Sequence, residues 1–407
     1  MWLSKHVSRK RALVQNLISI GLLLTVILLL VLLGQYGNRP VPSGDGTDTR
    51  APQTEDQTPL TGEVMLTIPK MENIPLIYDV IPKAMASLEP DQTILQALNV
   101  QPGDNMILYR GLPVTLDLSG MAKRDGKALL PTRVEVSESA DFSEVRSFEM
   151  KDGQTRLEIY LLKTGMKYYY RVWFADTDTM AQGSFSTAQS PRLLTIANIV
   201  NVRDIGGWET VDGKRIKQGM LYRGSELDGA VKETYLLTAQ GRQNMLDVLG
   251  IRYDMDLRGA DENLSTVHAL GDGVPHVYYG IMMYDFSFTN ANAKQAMRRV
   301  FADLADPENY PMYLHCTYGC DRTGTVCYLL EAILGLSDKD LLLEYELSSL
   351  HSAAVDRNYL LSQFTQLNAF PGETTREKAE NYLLSIGVTA EEMDSIRSIL
   401  LEDIPEN

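Results

Sequence analysis

The sequence predicts a multidomain fold in which an N-terminal transmembrane helix and an all-β sandwich precede an α/β domain. Three patterns in its 407 residues lead to this prediction: a long apolar run near the N-terminus, short alternating runs from 63 to 190, and helical patterns interleaved with short strands from 191 onwards. Alternation with a period of two is typical of strands, whereas helices that alternate with strands indicate an α/β sheet. A chain of this length holds two or three domains.

The N-terminal segment is basic and then strongly apolar. Residues 1–11 form a basic tail, and residues 12–38 carry no charge and are long enough to cross about 30 Å of hydrocarbon as a helix. We therefore predict a single-pass anchor at 12–38, with the tail in the cytoplasm and the rest of the chain extracytoplasmic. A cleaved secretory signal is the alternative, and would make the protein secreted. Residues 39–62, rich in Pro, Gly, Thr and Asp, predict a flexible linker.

Residues 63–190 predict the β-sandwich domain. Apolar residues alternate with polar ones in several short runs that Gly, Asp or Pro separate: 114–118, 134–136, 157–161 and 168–174. The segment 162–172, which holds three consecutive tyrosines, resembles the late strands of fibronectin type III domains. The resemblance implies a module that spaces the following domain from its surroundings or binds a surface partner.

Residues 191–407 predict the α/β domain, and one loop in it carries the chemistry. A short strand at 312–314 precedes the loop His315-Cys316-Thr317-Tyr318-Gly319-Cys320-Asp321-Arg322-Thr323-Gly324, and an amphipathic helical run follows. Backbone N–H groups at such a helix N-terminus favour an anion, and the guanidinium of Arg322 matches phosphate oxygens as a planar fork. The same positive field favours a thiolate at Cys316. The spacing therefore predicts a phosphate-binding loop with a nucleophile at its base.

This loop resembles the Cys-x5-Arg signature of the cysteine-dependent phosphatases. Further segments in the right order resemble the bacterial secreted tyrosine phosphatases, which are related to dual-specificity and lipid phosphatases: Asn201-Val202-Arg203-Asp204-Ile205-Gly206-Gly207, Gly219-Met220-Leu221-Tyr222-Arg223-Gly224 and Asp256-Leu257-Arg258. The likeness covers roughly residues 193 to 403. It implies a protein-tyrosine phosphatase, either strict or of dual specificity, that hydrolyses phosphomonoesters through a phosphocysteine intermediate.

The resemblance and the chemistry together name the candidate site residues. Cys316 is the nucleophile, Arg322 binds the phosphoryl oxygens, and Thr323 assists the thiolate. The acid that protonates the leaving oxygen is either Asp321 in the loop or Asp285, which lies 31 positions before the cysteine. The loop residues expected to surround the phosphate are Thr317, Tyr318, Gly319, Cys320, Asp321 and Arg322. The candidates for the pocket are Asn201, Arg203, Asp204 and His315, although the first three also fit a buried salt-bridged turn.

Two alternatives to a tyrosine phosphatase remain open. One is a phosphoinositide or inositol polyphosphate phosphatase, but the family loop carries a lysine, associated with such substrates, where this chain has Cys320. The other is a non-catalytic surface protein that only recognises phosphate. Cys320 itself either fills space or forms a reversible disulfide with Cys316.

Composition limits the cofactors and partners. The net charge of −15 argues against nucleic acid as a partner, so we expect a phosphorylated protein or peptide as substrate and the membrane as the site of anchoring. The three cysteines lie within twelve positions, which excludes a disulfide framework. The five histidines are scattered and give no zinc-binding spacing, so neither a metal nor another cofactor is predicted.

Overall fold

The computed structural model describes residues 62–89, 92–100, 108–259, 262, 264, 268–281, 288–351, 355 and 357–404. Its first half is rich in strands. Their bounds are β1 (Val64–Leu66), β2 (Met71–Ile74), β3 (Val114–Asp117), β4 (Ala122–Arg124), β5 (Lys127–Ala128), β6 (Pro131–Ser137), β7 (Arg146–Glu149), β8 (Arg156–Ile159), β9 (Lys167–Phe174) and β10 (Met180–Thr187).

These strands form a five-stranded sheet of order β2-β10-β9-β6-β7, a three-stranded sheet β1-β4-β5 and the pair β3-β8. Alternate residues of the strands are buried, as in β9, where Tyr168, Tyr170, Val172 and Phe174 face a common apolar core. Because successive side chains of a strand point to opposite faces, the alternation read from the sequence translates directly into one buried face. The closer likeness to fibronectin type III domains stays a prediction.

Two short helices in the same half of the chain pack elsewhere. They are α1 (Val80–Ala86) and α2 (Ile94–Leu98). Their buried residues Ile81 and Ile94 join Leu347 and Leu350 of the α/β part in a separate apolar cluster. The backbone N–H of Ile94 also donates to Glu346 Oε2 at 2.9 Å. This segment therefore covers the α/β part.

The α/β part is built on a sheet of order β11-β13-β16-β14-β15. The first pair is antiparallel, and the other neighbours are parallel. The strands are β11 (Arg203–Asp204), β13 (Leu221–Gly224), β14 (Tyr253–Asp256), β15 (His276–Tyr278) and β16 (Met312–His315), while β12 (Lys214–Ile216) pairs with β17 (Leu401–Asp403). The central strand β16 leads into the phosphate-binding loop, so the loop lies at the carboxyl end of the parallel strands, where ligands bind in such sheets.

Helices cover this sheet. They are α3 (Ala239–Gln243), continued by a π-helical turn (Asn244–Val248), α4 (Ala291–Leu304), α5 (Asp321–Leu334), α6 (Asp338–Glu346), α7 (Arg357–Leu367), α8 (Thr375–Ser385) and α9 (Ala390–Leu400), with 3-10 turns at Pro307–Asn309 and Leu347–Leu350. Helix α5 is buried along nearly its whole length and is the centre of the main apolar core. It ends at Gly335, whose φ of 96° closes the helix in the left-handed region.

The predicted transmembrane helix requires a correction. No helix of the described residues is long and apolar enough to span a membrane. The longest described helices have 14 residues, which at 1.5 Å per residue gives about 21 Å against about 30 Å of hydrocarbon. The predicted span at 12–38 lies outside the described residues. Over the described residues the fold class is therefore a β-rich part followed by an α/β part, with no transmembrane helix among them, and the single-pass localisation drawn from that helix is withdrawn.

The β-rich part contacts the α/β part through polar groups. Arg192 donates to the carbonyl oxygens of Leu161 (2.8 Å) and Leu162 (3.0 Å) and pairs with Asp204 Oδ2 at 2.6 Å. The Gln218 side chain accepts from the N–H of Thr164 (2.9 Å) and donates to its carbonyl oxygen (2.8 Å). Asp204 thus holds the start of the α/β part against the end of the sandwich strands.

Candidate active site

The phosphate-binding loop connects β16 to α5 and keeps its carbonyl groups on the side away from the pocket. The carbonyl oxygen of Thr317 accepts from the N–H of Glu226 at 3.2 Å. The oxygens of Tyr318 and Gly319 accept from the Asn201 side-chain amide at 3.1 and 2.9 Å. Arg223 Nη2 donates to the same Gly319 oxygen at 2.7 Å. Because the carbonyls face outwards, the N–H groups of the loop are free to face a phosphate.

Gly319 allows this loop to lie close to the sheet. Its φ is 68°, and an added Cβ would come within 2.2 Å of the carbonyl oxygen of Gly224 in β13. No other residue fits such an approach without moving backbone atoms. The glycine at this loop position is therefore required by the packing of the loop on β13.

A buried ion cluster supports the reverse side of the loop. Glu344 accepts from Arg203 Nε and from Arg223 Nη1, each at 2.6 Å, and the three side chains are almost completely buried. Arg203 Nη1 also donates to Asn201 Oδ1 at 2.6 Å, which orients the amide that binds the loop. Asn201 and Arg203, named as pocket candidates, thus lie behind the loop. The pKa of Glu344 is lowered because the two arginines outweigh the effect of burial.

The Cys316 thiol lies at the base of the loop and is 3% exposed. Burial alone would raise the pKa of this thiol, but the Arg322 charge together with hydrogen bonds from the side chain and backbone of Thr323 outweighs burial and lowers the pKa. The Thr323 hydroxyl is buried and finds no other hydrogen-bond partner among the described residues. The environment therefore favours a thiolate, which is the nucleophilic form.

Arg322 is held in place by a carboxylate that the sequence did not single out. Its Nη2 donates to Glu262 Oε1 at 2.9 Å, its Nη1 contacts Glu262 Oε2, and Nη1 also donates to the carbonyl oxygen of Ile281 at 3.1 Å. The Thr317 hydroxyl donates to the same carboxylate. The pKa of Glu262 is lowered because these hydrogen bonds and the Arg322 charge outweigh burial. Glu262 thus orients the guanidinium towards the loop.

Asp321, one of the two candidate acids, begins helix α5 and is exposed. Its Oδ1 accepts a hydrogen bond from the Tyr345 hydroxyl at 2.8 Å. The second candidate, Asp285, lies outside the described residues. Tyr345 is buried, and burial together with the Asp321 charge raises the pKa of its hydroxyl, so it acts as a donor. One oxygen of Asp321 is thereby positioned by the helix that follows α5.

His315 lies under the loop, not at its mouth. Its Nε2 is 3.1 Å from Asp254 Oδ1 and 3.8 Å from Asp256 Oδ2. Burial would lower the pKa of this imidazole, but the two carboxylates outweigh burial and raise the pKa to about 9. Arg258 binds Asp256 through Nη2 at 2.6 Å and lies in the same buried group. Asp204 is farther from the chemistry, at the contact with Arg192.

The outer rim of the loop is partly aromatic. Tyr318 is 37% exposed, and Tyr235 contacts its ring edge-on with 6.0 Å between centroids. The Lys232 ammonium lies 5.3 Å from the centre of the Tyr318 ring. Cys320, in contrast, is buried with its Sγ 3.5 Å from both the Asn201 amide and the Tyr318 carbonyl oxygen, and burial raises the pKa of its thiol.

Comparison with known proteins agrees with this geometry. The family described as "Tyrosine phosphatase family" matches residues 194–402, which is just over half of the chain. The chain belongs to the tyrosine phosphatase family. The family relationship and the phosphatase activity predicted from the loop are thereby confirmed, while the narrower secreted branch stays a prediction.

Individual relatives of this phosphatase are distant. A Cupriavidus necator protein named "putative tyrosine-protein phosphatase" is 27% identical over 200 residues, which cover 43% of this chain and 70% of that protein. Among solved structures, the core catalytic domain of the PP-IP phosphatase SIW14 from S. cerevisiae in complex with citrate is 16% identical, with a TM-score of 0.25, and covers 36% of this chain and 86% of that one. Another structure of the Siw14 catalytic core is 14% identical, with a TM-score of 0.26, and covers 40% and 96%.

Four residues of the phosphatase site were not identified as site residues from the sequence: Arg223, Glu262, Glu344 and Tyr345. Arg223 lies inside a segment that carries the family resemblance. The sequence therefore singled out that segment, but it did not predict the contact of Arg223 with the Gly319 carbonyl oxygen. Glu344 and Tyr345 follow three consecutive leucines in helix α6, and a carboxylate on a buried face signals an ion pair because an unpaired buried charge is costly. Glu262 has no such local signal.

Proposed function

We propose that this phosphatase hydrolyses phosphotyrosine in proteins or peptides through a phosphocysteine intermediate. The observation that carries the proposal is the buried Cys316 thiol, whose pKa is lowered and which lies at the base of a loop with its carbonyls turned outwards. A nucleophile with a lowered pKa beside a positioned guanidinium is the arrangement that phosphoryl transfer requires.

In the first step the Cys316 thiolate attacks phosphorus and the bond to the leaving oxygen breaks. The loop N–H groups and Arg322 hold the three equatorial oxygens, whose charge grows in the transition state. A carboxylic acid gives its proton to the leaving oxygen, so that a neutral phenol departs. Asp321 is the candidate of the described residues for this acid, since its carboxylate lies in the loop and is oriented by Tyr345.

In the second step water attacks the phosphocysteine. The carboxylate that lost its proton now accepts one from this water, the S–P bond breaks, and inorganic phosphate leaves as the thiolate is restored. The Thr323 hydroxyl supports this step, because a hydrogen bond to sulfur stabilises the negative charge that returns to it. The cycle therefore consumes one water molecule and returns the thiolate and the carboxylic acid to their starting forms.

Two features of the site support a tyrosine substrate. The nucleophile is almost completely buried, so a phosphate on a long aryl side chain reaches it more easily than one on a short serine or threonine. The exposed ring of Tyr318 and its neighbour Tyr235 offer aromatic surface for the substrate phenyl ring. Cys320 adds no charge at the position where the related loops carry lysine, which disfavours the polyanionic headgroup of a phosphoinositide.

The test is a comparison of kcat/KM for a phosphotyrosine peptide, the matched phosphoserine peptide, a phosphoinositide in micelles and inositol hexakisphosphate. We expect the phosphotyrosine peptide to be turned over fastest. Cys316→Ser should abolish turnover and still bind orthovanadate or phosphate, and Arg322→Lys should mainly lower kcat.

Each contrary result has a defined meaning. Activity of Cys316→Ser within about tenfold of the wild type would exclude the covalent mechanism, since removal of a nucleophile costs orders of magnitude more. Faster turnover of the phosphoinositide or of inositol hexakisphosphate would contradict the phosphotyrosine proposal and favour a phosphoinositide or inositol polyphosphate phosphatase. Phosphate binding without turnover of any of the four substrates would favour the non-catalytic alternative.

A further inference from the structure

A group of acids and histidines lies on the face of the sheet under the phosphate-binding loop. In the parallel register Asp254 of β14 stands beside His276 of β15, and Asp256 stands beside His315 of β16. Residues two apart on a strand share a face, so the backbone itself brings these four side chains together. The two histidines lie 20 to 61 positions from the two acids in the sequence, which is why no metal-binding spacing was visible.

The distances among three of these side chains match a metal site. His315 Nε2 lies 3.1 Å from Asp254 Oδ1, and His276 Nε2 lies 3.9 Å from Asp254 Oδ2. One ligand atom from each of Asp254, His276 and His315 can be chosen so that all lie within 4.8 Å of one another. Ligands about 2.0–2.1 Å from a tetrahedral zinc ion are separated by about 3.3 Å, so the side chains need only small adjustments.

The hydrogen bonding of the group is incomplete without a further partner. His315 Nε2 and Asp254 Oδ1 face each other but are not aligned for a hydrogen bond, and neither atom has another hydrogen-bond partner among the described residues. Both side chains are at least 98% buried. A buried polar atom without a partner costs about 1–3 kcal/mol, so native proteins rarely leave one unless an ion or water binds there.

The charge of the group also favours a cation. Asp256, Glu226 and Asp228 contact the buried guanidinium of Arg258, whereas Asp254 lies beside His276 and His315. The described contacts of Arg258 do not include Asp254. The four carboxylates therefore outnumber the two positive groups, Arg258 and His315, at a place from which water is largely excluded.

The ring orientation of His315 suits a metal ligand. Its Nδ1 lies 3.2 Å from the carbonyl oxygen of Cys316, and since a carbonyl can only accept, Nδ1 carries the proton. Without a metal the neighbouring carboxylates favour a proton on Nε2, and a bound metal ion would displace that proton and take the Nε2 lone pair, which is directed at Asp254. A histidine ligand whose other nitrogen donates to a backbone carbonyl is the usual arrangement around protein-bound metals.

We propose that Asp254, His276 and His315 bind one divalent transition-metal ion, with Zn²⁺ preferred because two imidazoles and a carboxylate suit it better than Mg²⁺. The ion joins β14, β15 and β16 and fixes the residue that precedes the nucleophile. It is a site separate from the thiol chemistry. Asp256 keeps its contact with Arg258 and gives up its 3.2 Å hydrogen bond with His276 Nε2 when the ion binds.

The test measures bound metal directly. The full chain is stripped with a chelator, loaded with Zn²⁺, freed of excess and assayed by mass spectrometry, and the affinity is then measured against a chromophoric chelator. Because the Cys316 thiolate can also bind zinc, the same measurements are made on Cys316→Ser. We expect one ion per chain in both proteins and a higher Tm in the loaded form.

His276→Asn should weaken zinc binding by about 100-fold or more and should remove the zinc-dependent rise in Tm. His268→Asn is the matched control, because its ring lies 5.5 Å from His276 but outside the cluster, and it should bind zinc like the wild type. Asp254→Asn serves as a second ligand variant if His276→Asn does not fold.

The proposal is overturned if the Cys316→Ser chain retains no zinc. His315 Nε2 would then bind a proton and not a metal ion. It is also overturned if both ligand variants bind zinc as tightly as the wild type. Neither result would bear on the phosphatase proposal, whose test uses turnover.

Discussion

The two halves of the described chain bury different kinds of side chain. In the β-rich part up to residue 190, the buried polar residues of the described chain are Ser137, Thr164, Thr187 and Ser190, none of which is charged. In the α/β part the buried residues include many charged ones, among them Arg203, Arg223, Asp254, Asp256, Arg258, Arg322, Glu331 and Glu344. Most of these surround the phosphate-binding loop.

This difference in buried side chains indicates which part of the chain serves stability and which part serves catalysis. An apolar core needs only side chains of suitable size and pattern, whereas buried charges stabilise a fold poorly and are costly when one partner is missing. Charges are retained around the loop because they hold its carbonyls outwards and its thiol ionised. Substitutions in the apolar core of the β-rich part should therefore change stability alone. Substitutions of the buried charged residues in the α/β part should change both stability and catalysis.

The largest effect is expected for Glu344→Gln. The substitution leaves Arg203 and Arg223 buried without their carboxylate, which costs about 3–5 kcal/mol in the free energy of unfolding. Denaturant unfolding measures it, and kcat should fall as well because Arg223 and Asn201 no longer hold the loop.

Glu331→Gln is the matched control for this prediction. Glu331 is buried without a hydrogen-bond partner among the described residues, and burial with the nearby Glu344 charge raises its pKa, so its carboxyl is already neutral. The exchange should change stability by less than about 1 kcal/mol. Equal destabilisation by the two substitutions would contradict the role given to Glu344.

The next effect is expected in the apolar core. Leu116→Ala removes a side chain that is 1% exposed and should lower the free energy of unfolding by about 2–5 kcal/mol. At a temperature where the variant is folded, kcat and KM should be those of the wild type. Leu130→Ala, at a position 47% exposed, is the control and should be within about 0.5 kcal/mol of the wild type. A change in kcat for Leu116→Ala would show that the two cores are not independent.

A smaller effect is expected at the thiol. Thr323→Ala removes a hydrogen bond that favours the Cys316 thiolate, so the pKa of the thiol should rise. The pH dependence of inactivation by iodoacetamide measures it: the wild-type midpoint lies below that of an ordinary cysteine, and the variant midpoint lies higher. Below that midpoint the variant should react about tenfold more slowly.

Thr325→Ala controls for the loss of a buried hydroxyl, since Thr325 Oγ1 donates to the Asp321 carbonyl oxygen at 3.0 Å and not to sulfur. Its midpoint should stay at the wild-type value. An unchanged midpoint in Thr323→Ala would remove Thr323 from the list of groups that activate the nucleophile.

The smallest effect is expected for Tyr345→Phe. The variant loses the hydrogen bond to Asp321, worth about 0.5–1.5 kcal/mol, and kcat should fall by about three- to tenfold with KM little changed. Tyr359→Phe is the control, because its ring stacks on Tyr345 but its hydroxyl is 3.4 Å from Thr325 instead. The same loss in both variants would mean that the packing of the rings, and not the hydrogen bond, is responsible.

The contrast between the apolar core and the buried charges also explains how much of the fold and of the site could be predicted from the sequence. The alternation at 168–174 predicted strand β9, and the pattern around Cys316 predicted a strand, a loop and a helix where β16 and α5 lie. Both depend on neighbours in the chain. The contact of Glu262 with Arg322 and that of Glu344 with Arg203 join residues 60 and 141 positions apart, and no local pattern encodes such pairs. The predicted membrane span finds no counterpart, since no helix of the described residues is long and apolar enough to cross a membrane.

The packing of α1 and α2 has a practical consequence for anyone who wants the catalytic part alone. A shortened chain that begins at residue 191 would uncover Leu347 and Leu350 and leave Glu346 without the N–H of Ile94. It would also remove Tyr109, whose hydroxyl lies 3.2 Å from Arg203 Nη1. Such a fragment is expected to aggregate and to be poorly soluble, because it exposes an apolar patch. The smallest chain that stays soluble should therefore begin before α1, although the family likeness begins more than one hundred residues later.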